Sequence, residues 1–581
     1  MRKALLLIAI YLLAASLIFS SLDLVKNELG NTSFGAVVLK KFSSYEELKN
    51  FVKVYNNSWC WAGALTLAGN AAEYSPRDYS TTNVQVEGVD EADIVKSDGK
   101  YLYIVSAKNI VIVEANPTEN ATIVAQINLT GVVRGIFING DKLVVFEAER
   151  GYKIFYMPYK QLRTFIKVYD ISTRTNPILV RNVSITGWYF NSRMIGEYVY
   201  VVVEQHLYWE SDEIILPKIY SNENAKTIPA TEIYYCNVSD YSYTFTTIVA
   251  VNVQNDEQAP SYLTVLLGSA SNLYVSLENI YIAVHKWQTT EATLLYRIHL
   301  EGAELELVAN GEVPGKVLNQ FSMDEYSGYF RIATTTGNVA RIWGEATSEN
   351  NIYVLDLSLN TVGSLTNLAH GERIYSARFM GDRCYLVTFR QIDPFFVIDL
   401  KDPSSPKVLG ELKIPGFSSY LHPYDEDHII GIGKEEANVK ISFFDICNVT
   451  NPKEIDKYLV NGEWSDSMVL RDHKAFLFDK SKNLLVIPVS KGSIGVNKYS
   501  AWQGVYVLNI SLEGGIRLKG MITHLENDTV RWYFSPYFVK RSLYIDNLLY
   551  TVSDKKLKMN SLEDLEELNE LELPYSEDYI Y

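Results

Sequence analysis

Short apolar runs, separated by turn residues, follow one another along most of the chain. From about residue 84 to residue 574 each run is rich in β-branched and aromatic side chains and is bounded by Gly, Asp, Asn or Pro, as in YLYIVS, LVVFEA, YVYVVVE and LLVIPV. Runs of about five to eight such residues are typical of strands, because these side chains pack well on a pleated surface. The pattern predicts an all-β chain.

One stretch near the N-terminus has helical spacing instead. Ser44 and Glu47 form a capping box, a signature of helix N-termini. Apolar residues then recur three and four positions apart, at Leu48, Phe51, Val52 and Tyr55. We expect one amphipathic helix at about 44–56, within an N-terminal segment of residues 22–83.

A turn motif occurs three times. Each copy has an Asp seven residues before a Pro, a Gly ten residues after that Pro, and an aromatic residue close behind the Gly. The copies span 170–177, 399–406 and 445–452, and the last two begin 46 residues apart. A period in the forties, built of short strands, is typical of a β-propeller blade. The motif would join the third strand to the outer, fourth strand, because Pro is tolerated at a strand start or edge.

This period divides the chain into blades that close into a ring. A four-stranded sheet buries both faces only against copies of itself, and a ring leaves no end unpacked. We expect one propeller of eight or nine four-stranded blades over residues 84–574, with an acidic tail at 575–581. The third unit is oversized, and its residues 207–243 fit no strand period, so we interpret them as an inserted loop. The nine candidate units lie near 90–130, 131–186, 187–268, 269–315, 316–370, 371–415, 416–461, 462–523 and 524–574.

The first 21 residues carry an export pattern. Arg2 and Lys3 precede a stretch without charge, from Ala4 to Phe19. It is longer than most signal-peptide cores and shorter than the roughly 20 residues of a membrane span. We expect residues 1–21 to be a signal peptide or a retained N-terminal membrane anchor. The rest of the chain would then lie outside the cell, secreted or at its surface.

Two further features bear on an exported protein. N-x-S/T sequons are acceptor sites for N-glycosylation and suit surface loops of exported chains. Among the four cysteines, Cys60 and Cys236 lie outside the repeat pattern and are the preferred disulfide pair, although other pairings and free thiols stay open. The sequons begin at Asn31, Asn56, Asn120, Asn128, Asn182, Asn237, Asn448, Asn509 and Asn527.

Composition excludes some classes of function. The net charge of −16 argues against nucleic acid as a partner, since phosphate binding needs an excess or a dense patch of Lys and Arg. No G-x-S-x-G nucleophile elbow and no glycine-rich phosphate loop leading into a helix occurs, so neither a catalytic residue nor an organic cofactor can be named.

The motifs resemble a known family, the secreted β-propeller domain proteins of archaea and bacteria, which are distantly similar to WD-type propellers. The resemblance is carried by residues 81–99 (TTNVQVEGVDEADIVKSDG), by Phe330–Thr335 (FRIATT) and by the run from Gly371 to Tyr424. It implies the propeller fold and export, and it implies no catalytic residues. The oversized third unit and the Tyr-rich tail depart from it.

Two sets of residues are candidates for a site. Asp90, Glu91 and Asp93 could hold a calcium ion, which prefers hard oxygen ligands, or could instead pair with Arg and backbone N–H groups where the ring closes. The aromatic residues of the insert have no blade to fill and are the candidate recognition surface. They include Tyr208, Trp209, Tyr220, Tyr234 and Tyr235.

These observations favour an exported, non-catalytic scaffold that binds an envelope protein or a glycan through the face carrying 207–243. Two alternatives stay open. One is an extracellular glycan-directed hydrolase with a pair of carboxylates at the channel mouth. The other is a calcium-stabilised structural component of a surface layer. The choice rests on the fold, which hosts many activities.

Overall fold

The computed structural model shows an all-β chain with one short N-terminal helix, as the apolar pattern predicts. It describes residues 39–55, 79–149, 162–222, 224–236, 243–287, 291–339, 346–389, 393–495, 498–526 and 535–575. The predicted export segment at 1–21 lies outside these residues, as do 576–581 of the predicted tail. Within the described ranges, no helix is both long enough and apolar enough to cross a bilayer.

The helix and the strands occur in the following order. The helix α1 is Tyr45–Tyr55. The first strands are β1 (Lys40–Lys41), β2 (Val89–Glu91), β3 (Val95–Ser97), β4 (Tyr101–Ser106), β5 (Asn109–Glu114), β6 (Thr122–Asn128), β7 (Val132–Asn139), β8 (Lys142–Ala148), β9 (Arg163–Asp170), β10 (Ile178–Thr186), β11 (Trp188–Ile195), β12 (Tyr198–His206), β13 (Trp209–Glu210), β14 (Glu213–Ile214), β15 (Lys218–Ser221), β16 (Asn224–Thr227), β17 (Ile233–Tyr235), β18 (Thr244–Asn252) and β19 (Ser261–Leu267). The remaining strands are β20 (Ala270–Val275), β21 (Asn279–Trp287), β22 (Glu291–Glu301), β23 (Glu304–Pro314), β24 (Lys316–Val317), β25 (Met323–Tyr326), β26 (Tyr329–Thr336), β27 (Glu349–Asp356), β28 (Thr361–Leu368), β29 (Arg373–Met380), β30 (Arg383–Phe389), β31 (Asp393–Asp399), β32 (Lys407–Ile414), β33 (Phe417–Asp425), β34 (His428–Glu435), β35 (Asn438–Asp445), β36 (Lys453–Leu459), β37 (Trp464–Ser467), β38 (Leu477–Asp479), β39 (Leu484–Gly495), β40 (Lys498–Ser511), β41 (Gly515–Ile522), β42 (Arg541–Ile545), β43 (Leu548–Val552), β44 (Lys556–Ser561) and β45 (Glu567–Glu572). Short 3₁₀ turns lie at Thr118–Asn120, Ala230–Glu232, Gln320–Ser322, Met468–Leu470 and His473–Ala475.

Within the described ranges these strands form nine successive antiparallel sheets, each with a four-stranded core, and a separate two-stranded hairpin of β13 and β14. This confirms the prediction of eight or nine blades, and each predicted unit contains one sheet. In blades 5 and 8 the first position is shared by two short strands, because one 3₁₀ turn in blade 5 and two in blade 8 interrupt it. The blades are 1 (β3–β6), 2 (β7–β10), 3 (β11, β12, β18, β19), 4 (β20–β23), 5 (β24–β28), 6 (β29–β32), 7 (β33–β36), 8 (β37–β41) and 9 (β42–β45).

The repeated turn motif performs the predicted connection. Asp170, Asp399 and Asp445 each end the third strand of a blade, and the Pro of each copy immediately precedes the fourth strand. The Asp side chain accepts the backbone N–H two residues on, at 2.9 Å for Asp170, 3.0 Å for Asp399 and 2.9 Å for Asp445. The side chain therefore fixes the turn, as Asp does in Asx turns.

Neighbouring blades pack through buried apolar side chains, and the last blade packs against the first. Leu102 and Ile104 of blade 1 share a core cluster with Tyr550 and Met559 of blade 9. Among the described residues these two blades exchange no strand, since β3–β6 and β42–β45 form separate sheets. The ring is therefore closed by side-chain packing and by the segment that precedes blade 1.

That segment, residues 79–93, is called the closing segment below. Tyr79 forms a bridge to Ile545 of β42 in blade 9. Further along, β2 pairs with β11, the first strand of blade 3, and Asp93 pairs with Ile136 of β7 in blade 2. The chain thus contacts three blades before it begins blade 1.

The insert is folded, which corrects its interpretation as a loop. β15 pairs with β10 and β16 with β15, so blade 2 gains two outer strands. β17 pairs in parallel with β19, and β1 pairs with β17, so blade 3 also grows outward. The sequence shows no period here because strands of two to four residues are too short to reveal one. We call β1, α1 and the described part of 207–243 the rim module.

Candidate functional site

Buried polar side chains meet where the closing segment crosses between the blades. Glu91 of β2 lies 3.7 Å from the Arg193 guanidinium of blade 3 and 3.6 Å from Nε2 of His473 in blade 8. Gln320 of blade 5 accepts a hydrogen bond from Arg193 at 3.1 Å and donates one to Glu91 at 3.4 Å. All four side chains are buried, and together they form the central cluster.

A second buried group joins the closing segment to blades 8 and 9. Arg541 of β42 donates from Nε to both carboxylate oxygens of Asp93, at 2.9 and 3.1 Å. Its Nη2 donates to Asp472 at 2.6 Å. One guanidinium therefore pairs with two carboxylates, one from the closing segment and one from blade 8.

The pKa values of the central carboxyl groups are low because of these cations. Burial alone raises the pKa of Glu91, but the charge of Arg193 and the contact with His473 outweigh it and lower the pKa to about 2. Burial likewise raises the pKa of Asp472, and Arg541 outweighs it, so the pKa falls well below its usual range. Burial lowers the pKa of His473, which favours the neutral imidazole. These carboxyl groups are therefore ionised at neutral pH.

Two neutral side chains of the closing segment also donate hydrogen bonds to other blades. Asn83 donates to the hydroxyl of Tyr420 at 3.1 Å and to the carbonyl of His473 at 3.0 Å. Gln85 donates to the carbonyls of Gln320 at 3.1 Å and Met323 at 3.0 Å. The closing segment is thus bonded to blades 5, 7 and 8 as well.

The three predicted calcium ligands face different partners. Asp90 accepts a hydrogen bond from Nζ of Lys96 at 2.7 Å, while Glu91 and Asp93 face the arginines described above. These contacts match the ring-closure interpretation of the acidic cluster. Calcium binding stays a prediction.

Sequence reasoning missed the partners of these carboxylates. Arg193, Gln320, His473 and Arg541 lie 102 to 450 residues after Glu91 along the chain. They are single polar residues inside strand-like or turn stretches, so nothing local marks them. In the sequence, this site was indicated by the acidic cluster of Asp90, Glu91 and Asp93 at the start of the repeats.

The predicted recognition residues of the insert are half-buried in the rim module. Tyr235 stacks on Phe42 with ring centroids 4.0 Å apart, and Trp209 packs against the apolar cluster beneath α1. Tyr220 lies against the Arg163 guanidinium, 5.2 Å from the ring centroid, and Tyr234 lies 4.5 Å from Nζ of Lys41. Tyr208 is half-buried too. All five residues are therefore partly exposed, and the rings of all but Tyr208 have the contacts given above.

The helix α1 begins as predicted and is bound to the insert. Ser44 accepts the backbone N–H of Glu47 at 3.1 Å, which completes half of the predicted capping box. Leu48 and Val52 of the helix are buried against Ile214 and Ile233 of the insert. The insert therefore supplies the docking surface for the N-terminal helix.

Five of the nine sequon asparagines lie in the described residues. Asn120, Asn128, Asn448 and Asn509 are exposed. Asn182 is half-buried on β10, which pairs with β15 on one edge, and its Oδ1 is buried. Glycosylation stays a prediction for all nine, and the remaining four, Asn31, Asn56, Asn237 and Asn527, lie outside the described residues.

Of the predicted disulfide pair, only Cys236 lies in the described residues. It is buried, with its sulfur 3.0 Å from the hydroxyl of Tyr296 in blade 4. Cys60 lies outside the described residues, so the pairing stays a prediction.

Comparison with known proteins extends these observations. The family model described as the Beta propeller domain matches residues 79–565. An uncharacterized protein of Methanocaldococcus jannaschii is 32% identical over 639 residues, with 94% of each chain covered. An uncharacterized protein of Archaeoglobus fulgidus is 29% identical over 592 residues, covering 87% of this chain and 86% of the relative.

Among solved structures, the chain is similar to the β-propeller domain of the Trilobed protease from Pyrococcus furiosus. The TM-score is 0.32 at 10% identity, covering 67% of this chain and 97% of that one. A putative 6-phosphogluconolactonase from Bacteroides uniformis also gives a TM-score of 0.32, at 13% identity, covering 58% of this chain and 94% of that one.

Proposed function

Because the chain belongs to the Beta propeller domain family, we propose that it is an exported, non-catalytic scaffold of the cell surface that binds an envelope protein or a glycan through the rim module. The observation that carries the proposal is the folded rim module. It adds strands to the outer edges of blades 2 and 3, beyond what ring closure needs. Insertions of this kind in repeat proteins often carry the binding face.

The rim aromatics suit recognition because they are rigid and partly exposed. Tyr208, Tyr220 and Tyr234 are half-buried and lie outside the apolar cluster that holds α1. An aromatic ring held in place loses little conformational entropy when a partner packs on it. Rings of this kind stack on sugar faces or on apolar protein side chains.

The central carboxylates support a non-catalytic function. A glycosidase needs one carboxylic acid with a raised pKa beside a second carboxylate. Here Glu91 and Asp472 have lowered pKa values and are paired with cations. Among the described carboxyl groups with shifted pKa values, Glu204 is the one that is raised, to about 7, because of burial. Its carboxylate accepts hydrogen bonds from Ala270 N–H at 2.6 Å and Ser269 at 3.2 Å, at the junction of blades 3 and 4.

Export rests on the sequence. Residues 1–21 have the charged start and the apolar stretch of a signal peptide or an anchor. In the described part of the chain α1 packs on the insert and is itself part of the rim module, so the proposed binding surface begins after the export segment along the chain. If residues 1–21 are retained as an anchor, the rim module is the part of the propeller nearest to them along the chain.

The test is a partner that depends on the rim aromatics. The full chain and its Y220A/Y234A variant are expressed in the native host, mildly cross-linked and purified, and co-purifying proteins and glycans are quantified by mass spectrometry. We expect a stoichiometric partner with the natural chain and at least about a tenfold loss with the variant, since hot-spot aromatics contribute 1.4 kcal/mol or more. The control is Y326A, because Tyr326 of blade 5 is 41% exposed and also lies over an arginine, Arg331.

Equal recovery of the partner with Y220A/Y234A would contradict the rim module as the binding surface. Turnover of envelope glycans by the purified natural chain would favour the hydrolase alternative. The mature N-terminus, read in the same experiment, distinguishes a cleaved signal from a retained anchor.

A further inference from the structure

Three different side chains that bind metals meet at one turn of blade 7. His428 is the first residue of β34 and lies opposite Asp445, the last residue of β35. Cys447 follows two residues later in the same turn. One ligand atom from each of the three, a ring nitrogen, a carboxylate oxygen and the sulfur, lies within 4.8 Å of the other two. This turn shares no residue with the central cluster or the rim module.

The equivalent turns of other blades show that these residues are a departure from the repeat. In blade 2, Lys142 lies opposite Asp170 and pairs with it at 3.4 Å, and Ser172 occupies the position of the cysteine. In blade 6, Arg383 lies opposite Asp399, and Lys401 occupies the position of the cysteine. Blade 7 thus keeps the turn-forming Asp but has imidazole and thiol where the other copies have ammonium, guanidinium or hydroxyl. Neither change is needed to form the turn.

The histidine is also oriented as a ligand. Nδ1 of His428 lies 2.7 Å from Oδ1 of Asp425, and the other oxygen of Asp425 is held by Lys480 at 2.8 Å. A carboxylate at Nδ1 places the proton there and leaves the lone pair of Nε2 free, which is the second-shell arrangement of many metal-binding histidines. The imidazole ring also packs against the aromatic rings of Tyr424 and Phe443, which restrict its rotation.

From this geometry we propose that His428, Asp445 and Cys447 bind a divalent metal ion of the zinc class. Imidazole nitrogen, thiolate sulfur and one carboxylate oxygen suit zinc and cobalt, whereas calcium and magnesium prefer oxygen ligands alone. On binding, the sulfur forms a bond to the ion and the thiol proton is released to solvent. The three side chains leave the fourth position of a tetrahedral site to water or to a group from a partner.

Cobalt(II) is the probe, since a thiolate bound to it gives a charge-transfer absorption and a tetrahedral site gives intense visible bands. The reduced full chain, without a histidine tag, is titrated with cobalt and then with zinc. We expect one equivalent of cobalt with both absorptions, displaced by one equivalent of zinc, and one proton released per ion at a pH where the thiol is protonated.

Matched variants assign the ligands. The H428K/C447S variant gives blade 7 the Lys, Asp and Ser of blade 2, so we expect it to fold and to lose the cobalt spectrum. C447S alone should lose the charge-transfer absorption, which also separates Cys447 from the other three cysteines. D425N should weaken binding about 10–100-fold without abolishing the spectrum, as second-shell changes do.

An unchanged cobalt spectrum in C447S would overturn the proposal, and so would the absence of binding by the natural chain. If H428K/C447S does not fold, C447S decides alone, because Cys447 is exposed and its replacement leaves the core intact. The cobalt result would stand even if the rim module bound no partner, since the metal site and the rim module share no residue.

Discussion

Individual buried charges in this protein act as connectors between distant parts of the chain. Arg541 joins Asp93 of the closing segment to Asp472 of blade 8, and its side chain is only 6% exposed. A guanidinium suits this position because its planar array of donors can serve two carboxylates at once. Removal of one of these three side chains leaves the others charged and poorly solvated. Such a substitution therefore lowers the free energy of unfolding strongly.

Replacement of Arg541 should therefore destabilise the ring strongly. We expect R541M to lower the free energy of unfolding by about 3–5 kcal/mol, because the buried Asp93 and the half-buried Asp472 lose their cation. Urea unfolding measures the change. The control is R517M, since Arg517 pairs with Asp456 at 3.0 Å but is 67% exposed, and should cost about 1 kcal/mol or less. Equal losses in both variants would contradict the role assigned to Arg541.

The low pKa of Glu91 predicts a loss of stability in acid. A carboxyl group whose pKa is about 2 in the folded state and near 4.5 in the unfolded state stabilises the fold above pH 4.5. That contribution is lost as the pH falls from 4.5 through about 2. The free energy of unfolding between pH 2 and pH 7 measures it, and E91Q should show a shallower decline than the natural chain. A slope unchanged in E91Q would mean that other groups control acid unfolding.

Among the structural elements, the closing segment depends least on its own secondary structure. Only β2 forms regular pairs in it, and the side chains of Asn83 and Gln85 donate hydrogen bonds to blades 5, 7 and 8. Such an element is ordered by the ring and in turn holds the ring together.

The N83A/Q85A variant tests this dependence. Each substitution removes two side-chain hydrogen bonds, so at about 0.5–1.5 kcal/mol per bond we expect losses of about 1–3 kcal/mol per site. Hydrogen exchange should become faster in β2 and in β42, the strand that meets Tyr79. E87A is the control, because Glu87 lies in the same segment but is exposed. Faster exchange confined to the outer strands would contradict this role of the segment.

Considered as a complete ring, the protein presents exposed asparagines on several blades. We expect glycans at Asn120, Asn128, Asn448 and Asn509, and none at Asn182, because its side-chain oxygen is buried and its strand β10 is paired on both edges, with β9 and β15. Mass spectrometry of glycopeptides from the native protein measures occupancy. Bare asparagines at all four exposed sites would contradict glycosylation, and full occupancy of Asn182 would contradict the docking of β15 on β10.

The sequence allowed the blades to be predicted because their determinants are local. Strand residues, the Asp turn and the period are all contained within one unit, so the units, the helix α1 and the turn motif could be read directly. The centre could not be read in this way. The pairing of Glu91 with Arg193 and of Asp93 with Arg541 arises only when blades far apart in the chain are brought together. The rim module was missed for a different reason, since its strands are too short to show a period.

The closing segment also sets the order in which the protein can fold. Ser80 and its partner Tyr544 are 464 residues apart, so this contact of the closing segment cannot form until the last blade has been synthesised. Contacts of such long sequence separation form late and slowly. Until blade 9 has been synthesised, the closing segment lacks its partner strand in that blade, and blade 1 has no blade 9 to pack against. If the chain is exported unfolded, as proposed above, this delay favours export, because no closed ring can form until the ninth blade has been synthesised.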